Sequence, residues 1–98
     1  MNITEVKVRK FLNEGKLRGI VSVTFDGVFA VHDIKIVQGE KRMFVAMPSR
    51  RDDSGVYRDI VHPITIAARN EIEEEILDAF QRELDTASMH DPQFTMHN

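Results

Sequence analysis

The 98-residue sequence contains no cysteine, which excludes disulfide bonds and thiolate metal sites. It has no apolar run that approaches the roughly 20 residues needed to span a membrane. Its first ten residues, MNITEVKVRK, carry charges but no apolar segment of the kind found in a secretory signal peptide. These absences predict a soluble protein of the cytoplasm.

Sequence motifs for catalysis and for phosphate cradling are missing as well. The five glycines form neither a GxGxxG pattern nor a Walker loop, and Ser49 is not part of a nucleophile elbow. His32 and His62 do not have the spacing of a known zinc motif. The sequence therefore predicts no enzyme, no cofactor, no metal ion and no small-molecule substrate.

Charge is unevenly distributed along a chain whose net charge is only -3. Residues 1–70 carry a net charge of +4, whereas residues 71–98 carry -7. Halves of opposite sign are a weak indication of a nucleic-acid-binding part joined to an acidic part. A domain of this size buries a limited share of its surface, so pairing with a second copy would stabilise it.

Turn signals at regular intervals separate short segments that are rich in Val, Ile, Phe and Thr. The clearest signal is Asp26-Gly27, because glycine accepts the positive φ of a tight hairpin turn. We predict five strands, near residues 2–12, 17–25, 28–37, 42–47 and 56–61.

One long helix is predicted to follow the strands, because Pro63 pre-sets φ for a first helical turn. Four glutamates between positions 71 and 75 are placed early in this helix, where carboxylates suit the helix dipole. Together the patterns predict an α+β fold, an antiparallel β-meander of about five strands with a C-terminal α-helix. This domain spans residues 1–85, and residues 86–98 are predicted to form a disordered tail. The apolar stripe of the helix consists of Ile64, Ala68, Ile72, Ile76, Leu77, Phe80 and Leu84.

The positions of the turns also predict the register of the strands. The hairpins are centred on Glu14-Gly15, Asp26-Gly27 and Gly39-Glu40. The paired side chains share one face, which we predict to be the core face beneath the helix, and the same registers place His32 on it. The predicted pairs are Val6–Val23, Val8–Val21, Leu12–Leu17, Val23–Ala30, Phe25–Val28, Ile36–Met43 and Ile34–Val45.

The opposite face of the predicted sheet mixes basic and apolar side chains, and no second helix is predicted to cover it. Exposed apolar patches usually mark an interface, which favours a homodimer formed through the sheet. A platform on which bases stack is the alternative, but Ile20 and Val31 are not aromatic and cannot stack. The predicted dimer interface consists of Phe11, Ile20, Phe29, Val31 and Phe44.

Arg50, Arg51 and Arg58 flank one predicted turn, and Arg69 lies at the start of the helix. Arginines in this position suit phosphate oxygens, and helix N-termini attract anions. A solvated hairpin, in which neighbouring aspartates neutralise the arginines, explains the same pattern. Taken alone, the pattern favours the solvated hairpin, because a charge cluster on a turn is usually only solvated.

The run FAVHDIKIVQGEKRMFVAMPSRRDDSGVYRDIVHPI resembles the SpoVG family of small bacterial regulators, and the likeness covers about residues 1–84. The blocks VHDIKI, FVAMPSRR, G-YRDI and HPI occur in order. The resemblance implies an antiparallel sheet packed with a C-terminal helix and a dimer formed through the sheet. It also implies site-specific binding to DNA, and in some members to RNA, with roles in septation, sporulation and gene regulation.

The contact region implied by the resemblance is the basic loop together with the first turns of the helix. The main interpretation is therefore a dimeric regulator that binds DNA, and possibly RNA, without enzymatic activity. The alternative is a protein-interaction module of the septation machinery that uses the same loop to hold acidic partners. The implied nucleic-acid-binding residues are Arg50, Arg51, Arg58, Thr65, Arg69 and Asn70.

Overall fold

The computed structural model describes residues 2–90, with side chains described as far as Thr86. The main antiparallel sheet contains, in order, β1 (Ile3–Glu14), β2 (Leu17–Phe25), β3 (Phe29–Gln38) and β4 (Met43–Ala46). A separate two-stranded ribbon consists of β5 (Ser49–Arg51) and β6 (Tyr57–Asp59), and it is followed by the helix α1 (Ile66–His90).

The predicted α+β meander with a C-terminal helix is confirmed. The predicted last strand, at residues 56–61, is placed differently, because it pairs with the short strand β5 and does not extend the main sheet. The helix continues to His90, five residues beyond the predicted end of the domain. The rest of the predicted tail, residues 91–98, lies outside the described residues.

The pairing of β1 with β2 is confirmed in its central part, where Val6 opposes Val23 and Val8 opposes Val21. Irregularities after Val8 and after Phe11 then shift the register, so Leu17 pairs with Glu14 and the predicted Leu12–Leu17 pair is wrong. As a result Phe11 opposes Gly19, and its ring centroid lies 5.4 Å from that of Phe80 on the helix. Phe11 therefore faces the helix, and its predicted placement on the opposite face of the sheet is wrong.

The pairing of β2 with β3 differs from the prediction because there is an extra residue in three places: at the turn, beside Asp33 and, on β2, between Leu17 and Gly19. Three residues separate the strands at the turn, and Asp33 adopts a positive φ of 62° where the register shifts again. Aspartate tolerates this left-handed conformation better than most residues. Each added residue turns the following side chains to the other face of the sheet.

The new register moves Phe29, Val31 and His32 to faces opposite to those predicted. Phe29 opposes the buried Phe25, and Val31 packs against the core, so both lie on the core face. His32 lies on the outer face, where its Nδ1 is 2.8 Å from the hydroxyl oxygen of Ser22. The observed pairs, which replace Val23–Ala30 and Phe25–Val28, are Val23–Val31 and Phe25–Phe29.

The pairing of β3 with β4 is displaced by two residues from the prediction. Val45 opposes Ile36, and Met43 opposes Gln38, because four residues separate these strands. A displacement by two residues keeps each side chain on its face. Ile34, Ile36 and Val45 are accordingly buried in the core as expected.

The helix covers the core face of the main sheet with Ile76 and Phe80, both of which are buried. The ring of Phe80 lies directly over Gly19, where a methyl group would collide with it. Ile64 does not belong to the stripe, because α1 begins only at Ile66 and the Ile64 side chain is 88% exposed. The glutamates lie beyond the first turn of α1, so the predicted interaction with the helix dipole does not apply.

Glu73 connects the helix to the edge strand β4. One of its carboxylate oxygens accepts a hydrogen bond from the backbone N–H of Val45 at 3.1 Å, and the other lies 2.8 Å from Nη2 of Arg42. The Glu73 side chain is only 14% exposed, so these charge-assisted bonds are partly shielded from water. This contact fixes the first half of α1 against the strand that leads into the ribbon.

Candidate nucleic-acid interface

The β5–β6 ribbon separates the predicted arginine cluster into two faces. Arg50 pairs directly with Arg58, whereas Arg51 pairs with Tyr57. Successive side chains in a strand point to opposite faces. We call the side with Arg50 and Arg58 the arginine face, and the side with Ser49, Arg51, Tyr57 and Asp59 the mixed face.

Asp52 determines the shape of the turn between the two strands. Its Oδ1 accepts hydrogen bonds from the Ser54 hydroxyl at 2.6 Å, the Ser54 N–H at 2.9 Å and the Val56 N–H at 3.1 Å. Its Oδ2 accepts a bond from Nε of Arg58 at 2.7 Å. The Ser54 hydroxyl, followed by Arg58 and the Val56 N–H, lowers the pKa of Asp52 from 3.8 to about 2. The carboxylate is therefore ionised across the physiological pH range.

Gly55 completes this turn with a positive φ of 88°, a conformation that favours glycine. The guanidinium of Arg51 lies over the same residue, since a Cβ at Gly55 would be 3.3 Å from Arg51 Nη2. Asp52 and Gly55 thus keep the turn compact while Arg51 extends along it.

The arginines of the ribbon differ in their partners. Arg58 forms the salt bridge with Asp52, as expected for a solvated hairpin. Arg50 and Arg51 are exposed and form no salt bridge with a carboxylate of the described residues. An open concavity of about 330 Å³ beside them is lined by Arg50, Arg51, Arg58, Asp52, Asp53, Asp59 and Ile60. The charges of the three arginines and three aspartates in this lining cancel. The site is therefore distinguished by guanidinium groups that have no carboxylate partner within the described chain, and not by its net charge.

The helix-start residues form a separate group. The Thr65 hydroxyl accepts a hydrogen bond from the Ala68 N–H at 3.0 Å, which identifies Thr65 as the N-cap of α1. Arg69 and Asn70 are exposed. None of these three residues lines the concavity beside the ribbon, and Asn70 instead contributes to a groove with Arg42, Glu73, Glu74, Leu77 and Asp78. The six predicted contact residues therefore do not line one common groove.

Two features of this region were missed in the sequence. Tyr57 is 70% exposed and lies directly opposite Arg51. The alternation of side chains in SRR and YRD is the signal that indicates their shared face, once the two segments are recognised as paired strands. Four large apolar side chains between the ribbon turn and the first residue of α1 are exposed as well; they are here called the apolar linker group and consist of Val56, Ile60, Ile64 and Ile66.

The outer face of the main sheet retains only part of the predicted dimer interface. Ile20 opposes Lys35, and Phe44 opposes Val37, so both lie on this face. Two residues along β2 from Ile20, Ser22 is 6% exposed; Arg9 Nε donates a hydrogen bond to its hydroxyl at 3.1 Å, and His32 lies beside it. The apolar patch on the outer face is smaller than predicted, because Phe11, Phe29 and Val31 lie on the core face.

An antiparallel meander covered by one helix, with an exposed ribbon that carries available arginines, defines a small α+β protein whose candidate functional side chains lie on its surface. Residues 1–82 match the model of the SpoVG family, and the chain belongs to this family. In the described part of the chain, α1 lacks the apolar length that a membrane-crossing helix requires.

Relatives in several bacteria bear the name "Putative septation protein SpoVG". The relative from Heliobacterium modesticaldum is 56% identical over 87 residues, which covers 89% of this chain and 98% of the relative. Those from Desulforudis audaxviator and Lachnospira eligens are 53% identical over 81 residues and 51% over 82 residues. These matches cover 83% and 84% of this chain, and 92% and 93% of the relatives. The shared name refers to septation.

Proposed function

We propose that this chain is a cytoplasmic, dimeric, non-enzymatic regulator that binds DNA or RNA through the β5–β6 ribbon and acts in septation, sporulation or the associated control of genes. The observation that carries this proposal is the pair of exposed arginines, Arg50 and Arg51, which have no carboxylate partner among the described residues. They lie in β5, directly before the turn that the hydrogen bonds of Asp52 stabilise. The septation role follows the names of the relatives.

The arginine face has the electrostatic character expected of an anion site. Arg50 and Arg58 are directly opposite each other, and like charges in this arrangement destabilise a pair of strands. Asp52 neutralises one of the two guanidinium groups. A phosphate that contacts both groups relieves the remaining repulsion and accepts charge-assisted hydrogen bonds from them.

The helix start supplies a second set of contacts. Arg69 adds positive charge near the N-terminus of α1, where anions are favoured. Asn70 and the hydroxyl hydrogen of Thr65 supply hydrogen bonds that can distinguish base edges. The dimer is formed through the outer face of the main sheet, where Ile20 and Phe44 are the predicted interface residues that remain on that face.

The test measures the affinity for DNA and RNA fragments, selected from a random pool, as a function of salt concentration. Replacing Arg50 and Arg51 with alanine should weaken binding and lower the slope of log K against log salt by about two units, one for each lost phosphate contact. The control is the double variant Lys16→Ala and Lys41→Ala, which removes the same charge from exposed positions in other turns. An equal loss in both double variants would show that net charge, and not the ribbon, determines binding.

A protein-interaction module is the second candidate, and the apolar linker group favours it. Val56, Ile60, Ile64 and Ile66 are between 49% and 88% exposed, and exposed apolar side chains that lie within a short stretch of chain can contribute to a protein interface. Affinity for the selected fragments that is no better than for random polymer at physiological salt would support this candidate over nucleic-acid binding.

A further inference from the structure

Tyr57 has an unusual position for the single tyrosine of the chain. Its side chain is 70% exposed on a strand of only three residues. The backbone beneath it is held by the pairing with Arg51 and by the turn that Asp52 closes. The ring is therefore presented to solvent from a fixed backbone, which keeps the entropy cost of binding a flat ligand low.

The mixed face differs from the arginine face in its suitability for phosphate. Asp59 lies on the mixed face, two residues along β6 from Tyr57, which corresponds to a spacing of roughly 7 Å. A carboxylate at this spacing repels phosphate, but it accepts hydrogen bonds from the amino groups of bases. The arginine face carries no carboxylate from β5 or β6, so phosphate is favoured there and, on the mixed face, only beside Arg51.

We propose that the mixed face binds an unpaired base stacked on Tyr57, so that single-stranded nucleic acid is the preferred ligand of the ribbon. This inference rests on the proposed nucleic-acid-binding function and specifies its ligand. Arg51, directly opposite Tyr57, holds the phosphate next to the stacked base, and Asp59 faces the following base. Arg50 and Arg58 contact the backbone of the strand where it passes the ribbon.

A single strand fits this arrangement better than a duplex does. Within a duplex the flat faces of the bases are covered by their neighbours, and a two-stranded ribbon in the major groove reads base edges only. An exposed aromatic ring gains stacking energy from a base only when that base is unstacked from its own strand. Tyr57 therefore contributes to single-strand binding and contributes little to duplex binding.

The composition of the protein allows a direct optical test, because it has one tyrosine and no tryptophan. Tyrosine fluorescence of the whole protein consequently reports on Tyr57 alone. Titration with a short single-stranded oligonucleotide should quench this emission to saturation, whereas the duplex of the same sequence should quench it much less. Titration of a free tyrosine amide in parallel corrects for absorption by the nucleic acid. Equal quenching by both forms would overturn the inference.

Two substitutions separate the ring from its hydroxyl group. Tyr57→Phe keeps the ring and should leave single-strand affinity within about twofold, whereas Tyr57→Leu should weaken it by roughly tenfold. Neither change should alter duplex affinity. Arg50→Ala should weaken the binding of both ligands, because it removes a phosphate contact. An unchanged single-strand affinity of a folded Tyr57→Leu protein would contradict stacking.

Abasic oligonucleotides extend the test to the unmodified protein, so that it does not depend on the folding of a variant. An oligonucleotide that keeps its phosphates but lacks bases should bind roughly tenfold more weakly and should not quench. If it binds as tightly as the intact strand, the stacking inference fails while the nucleic-acid function stands. If the protein binds neither single strands nor duplexes beyond the level of random polymer, both proposals fail.

Discussion

The main sheet with its helix and the β5–β6 ribbon are stabilised by different interactions. In the main sheet, Val23 and Ile36 are completely buried beneath Ile76 of the helix. In the ribbon, every residue of β5 and β6 is exposed, and the turn depends on hydrogen bonds to Asp52. Burial thus provides the stability of the fold, while a few hydrogen bonds position side chains that contribute nothing to the core. This division leaves the ribbon residues available for binding.

The largest effect is expected when the same substitution, isoleucine to alanine, is made at a buried and at an exposed position of α1. Ile76→Ala removes a completely buried side chain and should lower the free energy of unfolding by about 2–5 kcal/mol. Ile66→Ala, at a position that is 80% exposed, should change it by less than about 0.5 kcal/mol. Urea unfolding followed by circular dichroism measures both values, and similar losses would contradict the described helix face.

The contact between the helix and the edge strand gives the next largest effect. Glu73→Ala leaves the Val45 N–H and the Arg42 guanidinium without their partner, and it should cost about 1.5–3 kcal/mol of unfolding free energy. Glu74→Ala, at the neighbouring exposed position, provides the control and should have little effect. Equal effects in the same urea measurement would show that the Glu73 contact does not stabilise the fold.

Removal of the helix cap should have a smaller effect. The cap residue Thr65 lies in the segment that joins the ribbon to the helix. Thr65→Ala removes the acceptor of the Ala68 N–H and should destabilise the protein by about 1 kcal/mol. Thr65→Ser retains the hydroxyl group and should recover most of this loss, as measured by thermal unfolding. A serine variant as unstable as the alanine variant would indicate that the methyl group of Thr65, and not the cap, is what matters.

The smallest expected effect concerns the ionisation of the turn carboxylate. Because the pKa of Asp52 is lowered to about 2 in the folded protein, its stabilising contribution is present above pH 3.8 and is lost as the pH falls towards 2. Carbon NMR of the Asp52 carboxyl group should show a midpoint near 2. Ser54→Ala removes the hydrogen bond that lowers the pKa of Asp52 most, so it should raise this midpoint. A midpoint near 3.8 in the wild-type protein would contradict the hydrogen bonds of the turn.

The sequence predicts those parts of the fold that depend on periodicity. Val6 and Val8 pair as predicted because strict alternation identifies the buried face of a strand. Ile76 and Phe80 are buried as predicted because the helical period places them on one stripe. Alternation does not reveal an added residue, however. Three residues, and not the predicted two, form the turn before β3, so Phe29, Val31 and His32 lie on the faces opposite to those predicted. The later added residue, beside Asp33, returns Ile34 to its predicted face.

The candidate site was predictable in composition but not in arrangement. The arginines at positions 50, 51 and 58 are evident in the sequence, and Asp52 is an evident turn residue. Strands of three residues are too short for alternation to reveal them, so the pairing of Arg51 with Tyr57 was not apparent. The separation of the ribbon from the helix start depends on the path of residues 60–65, for which the sequence pattern gives no period.

The low pKa of Asp52 has a consequence for how such a surface can be controlled. The carboxylate that holds the hairpin keeps its charge across the physiological pH range, so the geometry of the hairpin is not a pH sensor. The affinity of this surface for its ligand should therefore depend on the salt concentration and on competing polyanions, but not on pH.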